Sequence, residues 1–330
     1  MVAITVLGSG IAALDATVVN IALPTIGREF HAGLGSLQWV MSGYTLTLAA
    51  FLLIGGSLGD HFGRRKVYSI GIIWFAVASA ACGFAPNAVF LIVTRVLQGV
   101  GAALLTPGSL AILEASFAPA DRGRAIGAWS GFGGLATAAG PLIGGYLITA
   151  ASWRWIFFIN IPIAAVVVAL CARHVPESLD PNATGKIDNA GALAGVVFLT
   201  GITFAFIEAP TLGWSSPSVL AMTAVGAAAL AVFLLRELSA ASPMLPLGIF
   251  RVRQFAATNA VTFIVYAALT GATFLLPVEL QVVSGYSPLD SGLALLPITV
   301  IMLALSARSG KLASRIGPRL QMSEIGRAHV

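Results

Sequence analysis

Two charged side chains of opposite sign stand inside long apolar stretches of this 330-residue chain. Asp15 lies in the apolar run at residues 2–23, and Arg95 lies in the run at residues 88–113. A carboxylate can bind and release a proton, whereas a guanidinium keeps its charge and can pair with that carboxylate. Either charge costs about 2.5 to 3.5 kcal/mol at the centre of a membrane-spanning helix on insertion scales. Both residues therefore become candidates for function.

The depth of these two charges can be compared if both runs cross a bilayer. Asp15 lies eight residues from the outer end of its run, which is about 12 Å at the rise of an α-helix. Arg95 lies about 10 Å from the outer start of its run on the same basis. The two charges are thus expected at one level. Arg95 could alternatively extend its long side chain to the outer surface, and the sequence alone leaves this open.

The composition shows what surrounds these charges. The chain is 58% hydrophobic and 9% charged, whereas about 25% of the residues in an ordinary soluble domain are charged. Stretches of about 20 residues without a charge have the length that a helix needs to cross a bilayer. A soluble enzyme is excluded, and an all-α polytopic membrane protein is predicted. The net charge of +5 does not indicate nucleic-acid binding, because the basic residues form short clusters between apolar runs.

Ten membrane spans are predicted from the apolar runs and the charged or turn-forming residues between them. They cover residues 2–23, 37–58, 67–85, 88–113, 125–148, 155–173, 190–208, 217–235, 255–280 and 289–307. With a cytoplasmic N-terminus, fourteen of the 18 basic residues fall in inner loops, and only Arg28 and Arg154 fall in outer loops. The positive-inside rule therefore predicts a multi-pass protein of the plasma (inner) membrane with its N-terminus in the cytoplasm.

The loop between the second and third spans contains Gly56, Asp60, Gly63, Arg64 and Arg65. In this pattern it resembles the signature loop of the major facilitator superfamily. Glycines permit a tight turn, and Asp60 can accept charge-assisted hydrogen bonds, which suits a cytoplasmic gate. A similar pattern recurs at residues 310–319, eight predicted helices later. An ordinary positively charged inner loop is the alternative interpretation.

Two further runs carry motifs of the same superfamily. Residues 95–99 resemble its Arg-x-x-Gln-Gly motif in the fourth span. The fifth span contains Gly140, Pro141, Gly144 and Gly145, which resemble the antiporter motif of the drug-exporting branches. Small residues that merely let helices pack closely explain the spacing equally well.

Residues 14–24, 153–162 and 285–288 resemble the fourteen-helix drug:proton antiporter branch of the superfamily. The resemblance implies a major facilitator fold that is incomplete here, with about ten of an expected fourteen helices. It implies an N-terminal six-helix bundle and then two extra linking helices between two cytoplasmic linkers. The start of the C-terminal bundle, with its gate-like loop, and a tail follow. The six-helix bundle covers residues 1–173, and the two extra helices cover residues 190–235. The linkers are residues 174–189 and 236–254, the start of the C-terminal bundle is 255–319, and the tail is 320–330. The tail is expected to be non-native, because residues 324–330 resemble one reading frame of a sequencing-adapter oligonucleotide.

The resemblance also implies a function. In the family fold the first and fourth helices both line the central cavity, which brings Asp15 and Arg95 within reach of each other. Proton-coupled export of lipophilic or cationic drug-like compounds by alternating access is the expected activity, with Asp15 and Arg95 coupling it to protons. Glu279 is a possible second acid, unless it lies at the outer headgroup level.

No cofactor, metal or nucleic acid is expected, the partners are a small-molecule substrate, protons and lipid, and the protein is expected to be a monomer. A metabolite exporter or importer of the same fold is the alternative, and a membrane scaffold without transport is a weaker one.

Overall fold

The computed structural model describes residues 1–179, 188–239, 245–297 and 300–301. In these ranges the regular structure is entirely helical, and nine helices are long and apolar enough to cross a membrane. The helices are α1 (Val2–Phe30), α2 (Leu34–Phe62), α3 (Arg64–Gly83), α4 (Ala88–Ser116), α5 (Pro119–Ala150), α6 (Trp155–Phe158), α7 (Asn160–His174), α8 (Asn189–Leu212), α9 (Pro217–Ser239), α10 (Arg253–Val278) and α11 (Pro288–Ala294). A 3-10 turn (Leu247–Arg251) precedes α10, and a π-helical segment (Glu279–Val283) follows it.

The first helix continues to Phe30, beyond the predicted end of the span at residue 23. Pro24 lies inside the helix instead of ending it. The helix ends where His31 takes the left-handed conformation, with φ of 50°, and the His31 N–H bonds the Gly27 carbonyl. At this end the indole of Trp153 donates to Glu29 at 2.6 Å, which ties the extra turns to the α5–α6 connection.

The sixth predicted span, 155–173, is divided in the structure. The short helix α6 ends at Phe158, and α7 begins at Asn160. Pro162 explains this break, because a proline has no N–H to donate to the carbonyl four residues earlier. That carbonyl belongs to Phe158, the last residue of α6. The break matters below because Asn160 is the first residue after it.

The packing centres on α1 and α4. The second and third helices both pack along α4, and α5 packs along α1. One apolar cluster joins the end of α1 to the start of α2 and the α5–α6 region, and a second joins α3, α4 and α7 to the beginning of α1. The pair α8 and α9 attaches to this body through α2, where the indole of Trp39 donates to Glu208 at 2.7 Å.

Several predicted segments lie outside the described residues. They include the second copy of the signature pattern at 310–319, residues 180–187 and 240–244 of the two linkers, and the tail at 320–330. The tenth predicted span, 289–307, is described only in part, by α11 and the few residues after it. The total number of spans and the division into bundles therefore remain predictions.

Candidate functional site

The structure brings Asp15 and Arg95 into direct contact where α1 packs against α4. The Nη1 atom of Arg95 donates a hydrogen bond to the Oδ2 atom of Asp15 at 2.5 Å. Both side chains are completely enclosed, with relative exposures of 0%. The guanidinium therefore does not extend to the protein surface, which removes the alternative that the sequence left open.

Two amide side chains complete the surroundings of the Asp15 carboxylate. Its Oδ1 atom accepts from Nε2 of Gln98 at 3.0 Å and from Nδ2 of Asn160 at 3.2 Å. Gln98 lies one turn after Arg95 on α4, and its Oε1 atom accepts from Arg95 at 2.6 Å. Each of these three side chains donates to the carboxylate, and a carboxylate without a proton can only accept.

Neither amide was predicted as a site residue. Gln98 belongs to the Arg-x-x-Gln-Gly pattern and Asn160 to the run 153–162, so both patterns carried a signal. The sequence could not show that polar side chains of two separate helices, α4 and α7, would donate to one carboxylate on α1. Both amide side chains are 0% exposed, so they are part of the interior and not of a wetted surface.

The Arg95 side chain is held by an aromatic ring and a backbone carbonyl. Its guanidinium carbon lies 4.2 Å from the centre of the Tyr44 ring, a cation–π contact, and its Nε donates to the Val40 carbonyl at 3.2 Å. The Tyr44 hydroxyl donates in turn to the Ala12 carbonyl at 3.3 Å. Among the described residues, Nη2 of Arg95 has no hydrogen-bond partner.

Close approach of α2 and α4 makes this geometry possible. A side chain at Gly99 would overlap the Thr47 hydroxyl and the Tyr44 carbonyl, so only glycine fits there. The Thr47 hydroxyl also donates to the Val96 carbonyl at 2.8 Å across the same seam. The glycine of the Arg-x-x-Gln-Gly pattern therefore sets how closely Tyr44 approaches Arg95.

The signature loop forms its own cluster of charges at the other end of α2. Asp60 pairs with Arg64, with 2.8 Å between Oδ1 and Nη2. Gly63 has a φ of 106°, a conformation that favours glycine, and the next residue begins α3. Glu177, which the sequence did not indicate, accepts from the backbone N–H of Arg65 at 2.9 Å and of Lys66 at 3.2 Å. It thereby caps the N-terminus of α3.

The small residues of α5 lie at two helix seams. Gly140 packs against Thr17 of α1, and Gly144 packs against Val18, where an added methyl group would lie 3.2 Å from its Cγ1. Gly145 faces the start of α11 and lies against the Pro288 carbonyl. The Pro141 carbonyl lies against Gly292 of α11. The motif residues are thus packing positions between α5, α1 and α11.

Glu279 is not part of the Asp15 cluster. It is exposed and begins the π-helical segment after α10. Within the described residues its carboxylate has no hydrogen bond or ion pair, and only its backbone is hydrogen-bonded. The next buried polar residue of that segment, Gln281, donates instead to the Ile21 carbonyl of α1 at 3.0 Å. No group of three or more metal-ligating side chains occurs in the described part of the chain.

The helical fold and the enclosed ion pair define a membrane protein built around a buried charge site. A family model for the Major Facilitator Superfamily matches residues 5–325. The chain therefore belongs to the Major Facilitator Superfamily, whose members move small molecules across membranes. It is a multi-pass membrane protein that belongs to a family of transporters and not of enzymes.

Several curated relatives are similar over most of this chain. The tetracenomycin C resistance and export protein of Streptomyces glaucescens is 39% identical over 318 residues, covering 93% of this chain and 57% of that protein. The multidrug resistance protein Stp of Mycobacterium tuberculosis is 38% identical, with coverages of 93% and 57%. The methylenomycin A resistance protein of Bacillus subtilis is 37% identical, with coverages of 94% and 66%. The chain thus spans less than two thirds of the length of these relatives.

Solved structures share the fold at low sequence identity. A POT family transporter in complex with a thioalcohol-conjugated peptide has a TM-score of 0.69 and 12% identity, covering 96% of this chain and 70% of that one. The xylose transporter XylE from E. coli has a TM-score of 0.58 and 16% identity, with coverages of 96% and 73%. These likenesses concern the fold alone.

Proposed function

We propose that the protein is a secondary active transporter that exports lipophilic or cationic drug-like compounds in exchange for protons. The observation that supports this most strongly is the Asp15–Arg95 pair, enclosed among apolar helices and bound by two amides. Burying such a pair is costly, and packing alone could be achieved by apolar residues of similar volume. A proton-binding role explains why a membrane interior would contain it.

The chemistry of the pair suits exchange. With Asp15 ionised, the pair is neutral overall and the carboxylate accepts from Arg95, Gln98 and Asn160. Protonation of Asp15 would remove the charge that holds Arg95, and the uncompensated guanidinium would then favour a different arrangement of α1 and α4. A cationic substrate would compete with the proton for the same carboxylate. Proton entry and substrate exit would thus alternate without simultaneous occupancy.

The relatives support the substrate class. Their names describe export of, or resistance to, tetracenomycin C, methylenomycin A and multiple drugs. We extend drug export to this chain on that basis. We further propose the fourteen-helix branch of the superfamily, with α8 and α9 as the two extra helices that attach to α2. The plasma membrane, a cytoplasmic N-terminus and a monomeric state belong to the same proposal.

Dye efflux from cells tests the function. Cells that express the whole protein should expel a lipophilic cationic fluorescent dye, and an uncoupler that collapses the proton gradient should stop the efflux. Asp15→Asn should remove efflux while the amount of protein in the membrane stays unchanged. Efflux that persists with the uncoupler would contradict proton coupling. Dye uptake that rises with an inward proton gradient would instead indicate an importer.

A further inference from the structure

Asn160 connects the Asp15 carboxylate to the break between α6 and α7. Its Nδ2 atom donates to Oδ1 of Asp15 at 3.2 Å and to Oγ of Ser79 at 2.9 Å. The Ser79 hydroxyl donates onward to the carbonyl of Phe157 at 2.9 Å. Phe157 lies in α6, one residue before its end, and Asn160 begins α7. One amide therefore contacts the carboxylate directly and the broken helix through a single hydroxyl.

Only the nitrogen of the Asn160 amide is hydrogen-bonded. Its Oδ1 atom is buried and has no hydrogen-bond partner among the described residues, and neither does Nη2 of Arg95 in the same cluster. The Asn160 and Ser79 side chains are both 0% exposed. A buried acceptor without a partner is costly, so a second arrangement in which this oxygen is bonded is a reasonable state of the protein.

We propose that the Asn160 amide detects the protonation state of Asp15 and transmits it through Ser79 to the break between α6 and α7. The proposal rests on the proposed function, in which Asp15 binds the transported proton. With Asp15 ionised, the carboxylate accepts and the amide N–H groups donate, as the structure shows. With Asp15 protonated on Oδ1, the carboxyl group becomes a donor at that atom and requires an acceptor.

A half-turn of the amide supplies that acceptor. Rotation about the last side-chain bond exchanges Nδ2 and Oδ1, so that Oδ1 faces both Asp15 and Ser79. It can then accept from the new Asp15 hydroxyl and from the Ser79 hydroxyl. One proton from water is added to Asp15, and no covalent bond breaks in the protein. The Oδ1 atom, which had no partner, thereby gains two hydrogen bonds, while Nδ2 gives up its bonds to Asp15 and Ser79 and takes the position that Oδ1 held.

The rotation changes the hydrogen bonding at the helix break. A hydroxyl has a single proton, so Ser79 cannot donate to Asn160 and to the Phe157 carbonyl at once. Protonation of Asp15 therefore withdraws the Ser79 donor from α6. The deprotonated state keeps the α6–α7 region fixed to α3 through Ser79, and the protonated state frees it to move. This difference between the two states is what a proton must produce to drive a conformational change.

The other ionisable groups around Asp15 do not replace this path. Arg95 of α4 keeps its charge, and Tyr44 of α2 uses its hydroxyl on the Ala12 carbonyl. Cys82 of α3 contacts Thr94 and Gln98, at 3.3 and 3.5 Å from its Sγ atom. The Arg95 guanidinium also lies near the Phe157 ring of α6, with its carbon 5.9 Å from the ring centre. Within the described residues, Asn160 is the side chain bonded to the carboxylate that reaches α6 through hydrogen bonds, by way of Ser79.

We call the path from Asp15 through Asn160 and Ser79 to α6 the relay. Removal of the Ser79 hydroxyl tests the relay without a change at Asp15. The measurement is proton-driven efflux from vesicles that contain the purified whole protein, divided by substrate–substrate exchange in the same vesicles. In Ser79→Ala this ratio should fall about fivefold, the factor that corresponds to one net hydrogen bond, and the dependence of efflux on pH should flatten. Ser79→Cys, which keeps a weak donor of similar size, should give an intermediate ratio.

Ser109→Ala is the matched control, since it removes a buried hydroxyl of α4 whose side-chain hydrogen bond among the described residues goes to the Thr106 carbonyl of its own helix. Its ratio should equal that of the wild type. A wild-type ratio in Ser79→Ala, or an equal fall in both variants, would overturn the relay. Asp15→Asn separates this failure from that of the proposed function. If Asp15→Asn keeps proton-driven efflux, the proposed function itself is wrong. If Asp15→Asn loses proton-driven efflux while Ser79→Ala keeps the wild-type ratio, only the relay is overturned.

Discussion

The carboxyl group of Glu177 lies directly against Gly63, so that a methyl group added to Gly63 would stand 2.7 Å from the Glu177 Cδ atom. This contact joins the segment after α7 to the start of α3. Two hydrogen bonds beside it join the same two segments. The Arg64 N–H donates to the Ser178 carbonyl at 3.0 Å, and the Arg65 side chain donates to the Val175 carbonyl at 3.1 Å. The signature loop is thus held by a segment more than 100 residues away.

Replacement of Gly63 by alanine should destabilise this contact in two ways. The φ of 106° is unfavourable for any residue with a Cβ, at a cost of about 1 to 3 kcal/mol, and the new methyl group would displace the Glu177 carboxylate. We expect a lower midpoint temperature for unfolding of the detergent-purified protein. Gly35→Ala is the control, because Gly35 lies in α2 with nothing within 4 Å of its added Cβ. Equal stability of the two variants would contradict the contact.

The seam between α1 and α5 predicts a second contrast between glycines. Gly140→Ala would overlap the Thr17 hydroxyl and should cost about 1 to 3 kcal/mol, as overpacked cores do. Gly131→Ala, on the same helix with nothing within 4 Å, should stabilise the helix by about 0.5 to 1 kcal/mol. The yield of monodisperse protein and its thermal midpoint measure the difference. A Gly140→Ala protein as stable as Gly131→Ala would mean that the seam is looser than described.

The orientation of the chain follows from its basic residues and can be tested by labelling. Single cysteines at Pro181→Cys and Trp214→Cys, after replacement of Cys82 and Cys171, are probed with a membrane-impermeant thiol reagent in intact cells. Trp214, which follows α8 and is exposed, should react, whereas Pro181 should react only after the cells are opened. Labelling of Pro181→Cys in intact cells would reverse the predicted topology.

Replacement of Arg95 by lysine should impair efflux less than replacement by alanine. Arg95→Ala leaves the Asp15 carboxylate buried without a counter-charge, a change that costs about 3 to 5 kcal/mol when a buried pair loses one partner. Arg95→Lys keeps the charge but loses the planar contact with Tyr44 and the fork that reaches Gln98. We expect dye efflux per folded molecule to fall in the order wild type, Arg95→Lys, Arg95→Ala. Equal efflux in both variants would show that the charge at this position is not used.

The sequence predicted the charged members of the site but not its neutral ones, for a physical reason. Asp15 and Arg95 are conspicuous because an isolated charge in an apolar span is expensive. Neutral polar residues such as Ser109 and Asn160 are cheaper, and many of them simply bond their own helix, as Ser109 does. Only the three-dimensional arrangement separates Asn160, which reaches two other helices, from such residues.

The limits of helix prediction had similar causes. The apolar runs located the spanning helices well, since length and hydropathy decide whether a helix can cross a bilayer. The break at Ile159 escaped because the run 155–173 is uniformly apolar, although Pro162 was a usable signal. Glu177 escaped because its partners lie more than 100 residues earlier in the chain, and no local pattern encodes such a contact.

Proton release on substrate binding tests the central claim most directly. The purified whole protein is mixed with a cationic substrate in weakly buffered solution that contains a pH indicator. The wild type should release protons as the substrate binds, because the cation and the proton compete for Asp15. In Asp15→Asn the release should disappear while the substrate still binds, as followed by fluorescence. Unchanged proton release in Asp15→Asn would show that another group carries the proton, with Glu279 the next residue to replace.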